Sequence, residues 1–63
     1  MEHILYDRPS LRLRRPTSSV REGEYQVLRW KWVSKPGWEH KVSVFLVDTI
    51  NGERGWIDPP GGE

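Results

Sequence analysis

Four Trp, two Tyr, one Phe and ten Lys or Arg carry whatever chemistry these 63 residues perform. The densest group is Arg29-Trp30-Lys31-Trp32, where cations and indoles alternate. Indole faces stack on nucleobases while neighbouring cations meet phosphates, and the same residue types dominate protein interfaces. Arg8, Arg12, Arg14 and Arg15 add planar forks suited to carboxylate or phosphate; the plainer reading makes Arg12 and Arg14 the solvent face of a strand. Tyr6, Trp38 and Trp56 supply further aromatic area. Covalent and acid–base chemistry has little to work with. Cys is absent, as are a Gly-rich phosphate loop, HExxH and GxSxG. Glu39-His40 is an acid–base pair only in sequence, because adjacent strand residues point to opposite faces, and His40 is expected at the surface. No enzyme is predicted. Two distant His without Cys predict no metal site and no cofactor.

The elements that would position these residues are strands. Five Pro, six Gly and many β-branched and aromatic residues argue against helix. Strands are expected at His3–Tyr6, Leu11–Arg14, Glu24–Val33, Trp38–Asp48 and Glu53–Ile57. Leu11-Arg12-Leu13-Arg14 alternates as a half-buried strand does, with Pro16-Thr17-Ser18-Ser19 as the following turn. In the third strand Tyr25 and Val27 oppose Leu28, Trp30 and Trp32, so both faces are apolar. Burial on both sides, a bulge near Leu28 and an exposed aromatic binding face each account for that. Ser34-Lys35-Pro36-Gly37 is a turn. In the fourth strand Val42, Val44 and Leu46 form the expected inward set, with Lys41, Ser43, Phe45 and Val47 outward. Asn51-Gly52 between the last two strands is a strong hairpin signal, expected as a type I′ turn with φ > 0 at both residues. Pro59-Pro60 stops the last strand.

The fold class predicted is all-β: one antiparallel five-stranded barrel over residues 1–60, with 61–63 a disordered tail. A chain of this length without disulfides depends on large side chains for its core, each aromatic removing roughly 150–250 Å² from water. Residues 1–21 hold five Arg against Glu2 and Asp7, whereas 22–63 hold five basic and seven acidic side chains. That split suits an anionic or protein partner. MEHILYDRPS has an acidic residue and no long apolar run, so no signal peptide is expected. No segment approaches the roughly 20 apolar residues of a membrane span, and a cytoplasmic location is the default expectation, in line with the missing Cys.

Ile4-Leu5-Tyr6-Asp7 resembles the ALYDY segment that opens eukaryotic SH3 domains. Val20 to Leu28 resembles their charged, Gly-Glu approach to the next long strand. Gly37-Trp38 and Gly55-Trp56-Ile57 resemble the second half of the family, and also the ending of bacterial SH3-type domains, whose Leu-x-Val-Arg opening is similar to Leu11-Arg12-Leu13-Arg14. The resemblance implies an SH3-like barrel with a shallow aromatic groove for polyproline II peptides, in which Tyr6, Trp38 and Trp56 match groove positions. Arg8 replaces the second ALYDY Tyr, and Asp58 replaces the groove Pro.

The expected function is a small non-enzymatic protein-interaction module that binds a protein or peptide through Tyr6, Arg8, Arg12, Arg14, Trp30, Trp32, Trp38 and Trp56. The alternative is a nucleic-acid-binding barrel using Arg29, Trp30, Lys31 and Trp32. Salt dependence separates the two, since phosphate neutralisation makes affinity fall steeply with salt.

Overall fold

The computed structural model describes residues 2–59. Five antiparallel strands form one sheet: β1 (Glu2–Tyr6), β2 (Pro16–Arg21), β3 (Tyr25–Ser34), β4 (Lys41–Thr49) and β5 (Arg54–Ile57), in the spatial order β2-β1-β5-β4-β3. There is no helix among the described residues. The expected all-β class holds, but β2 and β3 are free edges, so hydrogen bonds do not close the sheet into a barrel. The 61–63 tail lies outside the described residues.

The second strand is not where alternation placed it. Leu11–Arg14 belongs to a loop, and β2, which takes in the expected turn Pro16–Ser19, pairs with β1. Local hydrogen bonds decide this. Ser10 Oγ accepts from the backbone N–H groups of Arg12 and Leu13, each at 3.0 Å, bending the chain there. Asp7 then closes the loop, donating its N–H to Arg15 O (3.1 Å) while its carboxylate accepts from Arg15 N (2.9 Å). Leu13 is left 71% exposed.

Three turns set the remaining strands. Arg21–Glu24 and Lys35–Trp38 are closed by N–H···O bonds of 3.0 Å each, with Gly23 and Gly37 at φ 87° and 82° in the third position. Pro36 before Gly37 is the type II preference. The β4–β5 hairpin is not the expected type I′ turn, because Asn51 does not have positive φ. Instead Gly52 N donates to Thr49 O (2.9 Å), Thr49 N donates to Glu53 O (2.8 Å), and Gly52 sits at φ 83°. That is the three-residue turn with a glycine bulge. Thr49 Oγ1 braces it by accepting from Glu53 N at 3.1 Å.

The apolar conflict in β3 is resolved by a bulge. Val27 pairs with Val47 and Arg29 with Leu46, leaving Leu28 without a partner. Facing residues share a side of the sheet, so Tyr25, Val27, Trp30 and Trp32 all lie on the side of Phe45 and Val47. That side holds the core of Leu5, Val20, Val47 and Ile57, flanked by Tyr25 and Phe45. Val47, expected outward, is therefore fully buried, while Val44 is buried on the opposite side and Val42 and Leu46 only half-buried. β4 thus buries one Val on each face, Val47 on the core side and Val44 on the other, which alternation alone does not reveal.

Candidate interaction surfaces

Register divides the candidate residues between the two faces of the sheet. Tyr6 faces Trp56, Trp56 faces Leu46 and Leu46 faces Arg29, so these four form one row across β1, β5, β4 and β3. The next row, Ile57, Phe45 and Trp30, points the other way. The aromatic patch expected from sequence is therefore two surfaces.

The first surface is the core side of β3. Near the Arg21–Glu24 turn that side is well covered: the His3 ring packs edge-on to Tyr25 (5.7 Å between centroids), and His3 Nε2 contacts a Glu22 carboxylate oxygen. The Tyr25 hydroxyl donates to the other Glu22 oxygen at 3.3 Å. The His3 hydrogen bond is the main cause that holds the Glu22 carboxyl below its ordinary value. Burial, then the Glu22 charge, pushes the Tyr25 hydroxyl up. Further along β3, no described strand covers this side. Trp30 and Trp32 are 55% and 56% exposed and lie edge to face, centroids 5.3 Å apart. That geometry fixes each ring against the other. Val27 is also half exposed.

The second surface lies on the opposite side, between the Asp7–Arg15 loop and the Lys35–Trp38 turn. It is a cleft of about 300 Å³, lined by Leu11, Arg14, Lys35, Pro36, Val42, Asp58 and Pro59. The protein's own charges fill much of its recognition capacity. Arg14 makes a forked pair with Asp58 (2.7 and 3.4 Å), and its guanidinium carbon sits 3.7 Å from the Tyr6 ring centroid. Lys35 Nζ lies 3.9 Å from the centroid of the Trp38 ring, which is 54% exposed. Two of the three rings matched to an SH3-type groove, Tyr6 and Trp38, thus carry a cation each; the third, Trp56, is half-buried beside Tyr6.

Of the sequence candidates, Tyr6, Arg14 and Trp56 come together, and Trp30 with Trp32. Arg8 and Arg12 are exposed in the loop beside Asp7, Leu13 and Arg15. Arg29 and Lys31 share a face opposite to Trp30 and Trp32, so that quartet does not converge. Glu39 and His40 are both exposed and lie in a bend before β4 rather than in a strand. Sequence reasoning missed Lys35 and Leu11 as cleft residues. Pro36-Gly37 was the available signal for Lys35, since a type II turn folds it back beside Trp38; Leu11 had none, its strand-like alternation pointing elsewhere. Among the described residues no group of three or more His, Cys, Asp or Glu could hold a metal ion, and no helix is long and apolar enough to cross a membrane. In comparisons with protein-family models, curated proteins and solved structures, nothing matches this chain.

Proposed function

We propose that this chain is a small non-enzymatic protein-interaction module that binds a protein or peptide segment through the Trp30–Trp32 face of β3. One observation carries the reading: two indoles more than half exposed, held edge to face on the uncovered part of the core side. Covering them would remove roughly 200–250 Å² of apolar surface from water, about 5–6 kcal/mol before the costs of association. Trp is also the residue type most often found at interface hot spots.

The finer architecture belongs to the same proposal. Five antiparallel strands with a long first loop and a Trp-bearing turn are compatible with an SH3-like fold. In that frame the Arg14–Asp58 pair occupies the peptide groove, and recognition passes to β3. A nucleic-acid site built on Arg29, Trp30, Lys31 and Trp32 would need stacking and phosphate contacts on one surface, whereas β3 turns its cations and indoles to opposite sides.

The test is capture from the source organism's lysate by wild type, Trp38→Ala and the double variant Trp30→Ala/Trp32→Ala. Each captured protein is then purified and titrated back. Loss of a partner on the double variant but not on Trp38→Ala is expected. A folded double variant that keeps every partner at wild-type affinity overturns the reading.

A further inference from the structure

The long hairpin of β3 and β4 ends the sheet, and β3 is hydrogen-bonded on one side only. A strand in that position presents a row of unused N–H and C=O groups. Beyond the Leu28 bulge the segment is regular. Arg29, Trp30, Lys31, Trp32, Val33 and Ser34 each face one residue of β4, from Leu46 back to Lys41. No Pro interrupts it. The other free edge, β2, is shorter, begins at Pro16 and has a register shift opposite Leu5 and Tyr6. The Arg29–Ser34 edge is therefore the longest regular one among the described residues.

Its side chains specify what could lie alongside. Trp30 and Trp32 project to one face, Arg29 and Lys31 to the other. Among the described residues neither cation has a carboxylate within ion-pair distance, the ion pairs there being His3–Glu22 and Arg14–Asp58. Residues directly opposite across two strands share a face, and opposite charges there attract while like charges repel. A complementary strand thus alternates carboxylates, facing Arg29 and Lys31, with apolar side chains, facing Trp30 and Trp32. A second copy of β3 does not meet that requirement. Antiparallel self-pairing centred on Trp30 sets Arg29 against Lys31, and centring on Lys31 sets Lys31 against itself.

We infer that β3 recognises its partner by strand addition, taking an extended protein segment of alternating acidic and apolar residues onto the Arg29–Ser34 edge. This rests on the protein-interaction reading and adds the binding mode and the partner's chemistry.

The experiment uses the full chain, labelled with nitrogen-15, and three probes: a blocked ten-residue peptide of alternating Glu and Val, its Lys–Val counterpart, and a single-stranded oligothymidine. Amide hydrogen exchange of residues 29–34 and the indole N–H signals of Trp30 and Trp32 are followed by NMR. With the Glu–Val peptide, the β3 amides directed away from β4 are expected to exchange at least tenfold more slowly. The Lys–Val peptide is expected to leave them unchanged, and the exposed-site variant Arg29→Glu/Lys31→Glu to reverse the preference. Equal binding of both peptides, or protection by oligothymidine alone, overturns the inference. Protection already present in a self-associated free protein does the same. Indole shifts without slowed exchange overturn strand addition but leave the aromatic-surface reading standing, whereas the lysate capture above judges that reading separately.

Discussion

Gly55→Ala probes the joint on which the sheet depends. β1 meets β5 through one registered pair, Tyr6 with Trp56, and Gly55 lies beside it under Leu5. A Cβ at residue 55 would stand 3.0 Å from Leu5 Cβ, 3.3 Å from Leu5 Cδ2 and 3.3 Å from Tyr6 O. Carbon atoms prefer about 3.5–4.0 Å, so something must move by roughly half an ångström. Leu5 is 1% exposed and packed among Val20, Val47 and Ile57, and the other close atom is backbone. Overpacking of this kind costs about 1–3 kcal/mol. Gly55 does not have positive φ, so alanine fits the backbone and recovers about 0.5–1 kcal/mol through the unfolded chain. The net loss is about 0–2.5 kcal/mol, against a total of about 3–9 kcal/mol for a domain of this size. Tm should fall by about 4–8 °C for each kcal/mol lost. Urea unfolding followed by circular dichroism and Trp fluorescence measures it, with the midpoint lowered and the slope unchanged. A variant more stable than wild type would refute the close packing of β1 on β5.

Gly52→Ala should cost about 1 kcal/mol because its φ of 83° strains an L-residue, whereas Asn51→Gly should bring no stabilisation, since Asn51 is not in the left-handed region; urea midpoints of both variants check the glycine-bulge turn against a type I′ turn. Arg14→Ala removes the Asp58 fork and the cover on Tyr6 and should cost about 1–2 kcal/mol, with Arg14→Lys retaining part of it; equal stability of all three proteins would show the clasp to be inert. Glu22 has a depressed folded pKa, so its contribution is present above the ordinary value of 4.5 and disappears as pH falls through the lower folded value. The wild-type advantage over Glu22→Gln in urea midpoint should accordingly hold at pH 6 and shrink below pH 4.5; a gap that stays constant down to acid unfolding would contradict the His3–Glu22 contact.

Fold class was legible because strand signals are local. Pro36-Gly37 and Asn51-Gly52 each mark a reversal, and both hairpins lie there. The second strand was not legible. Leu11 to Arg14 alternates as well as any strand, yet Ser10 and Asp7 offer side-chain acceptors that bend the chain before a partner is met. The bulge at Leu28 was visible only as a conflict of faces, since a two-residue period cannot tell a bulge from burial on both sides. The division of the aromatics into two surfaces depends on register between strands far apart in sequence. The cations over Tyr6 and Trp38 depend on Arg14 and Lys35 reaching back from a loop and a turn. Of these relations only the Lys35–Trp38 contact has a short-range signature, the Pro36-Gly37 turn.

The central claim is that Trp30 and Trp32 form the recognition surface, and a calorimetric titration tests it most directly. A partner recovered by the wild-type chain is titrated into wild type and into Trp30→Ala/Trp32→Ala, after circular dichroism has shown both to be folded. Hot-spot losses of about 2–4 kcal/mol correspond to a fall in affinity of about 30- to 1,000-fold, and the account predicts a loss in that range. Affinity within about twofold of wild type would contradict it.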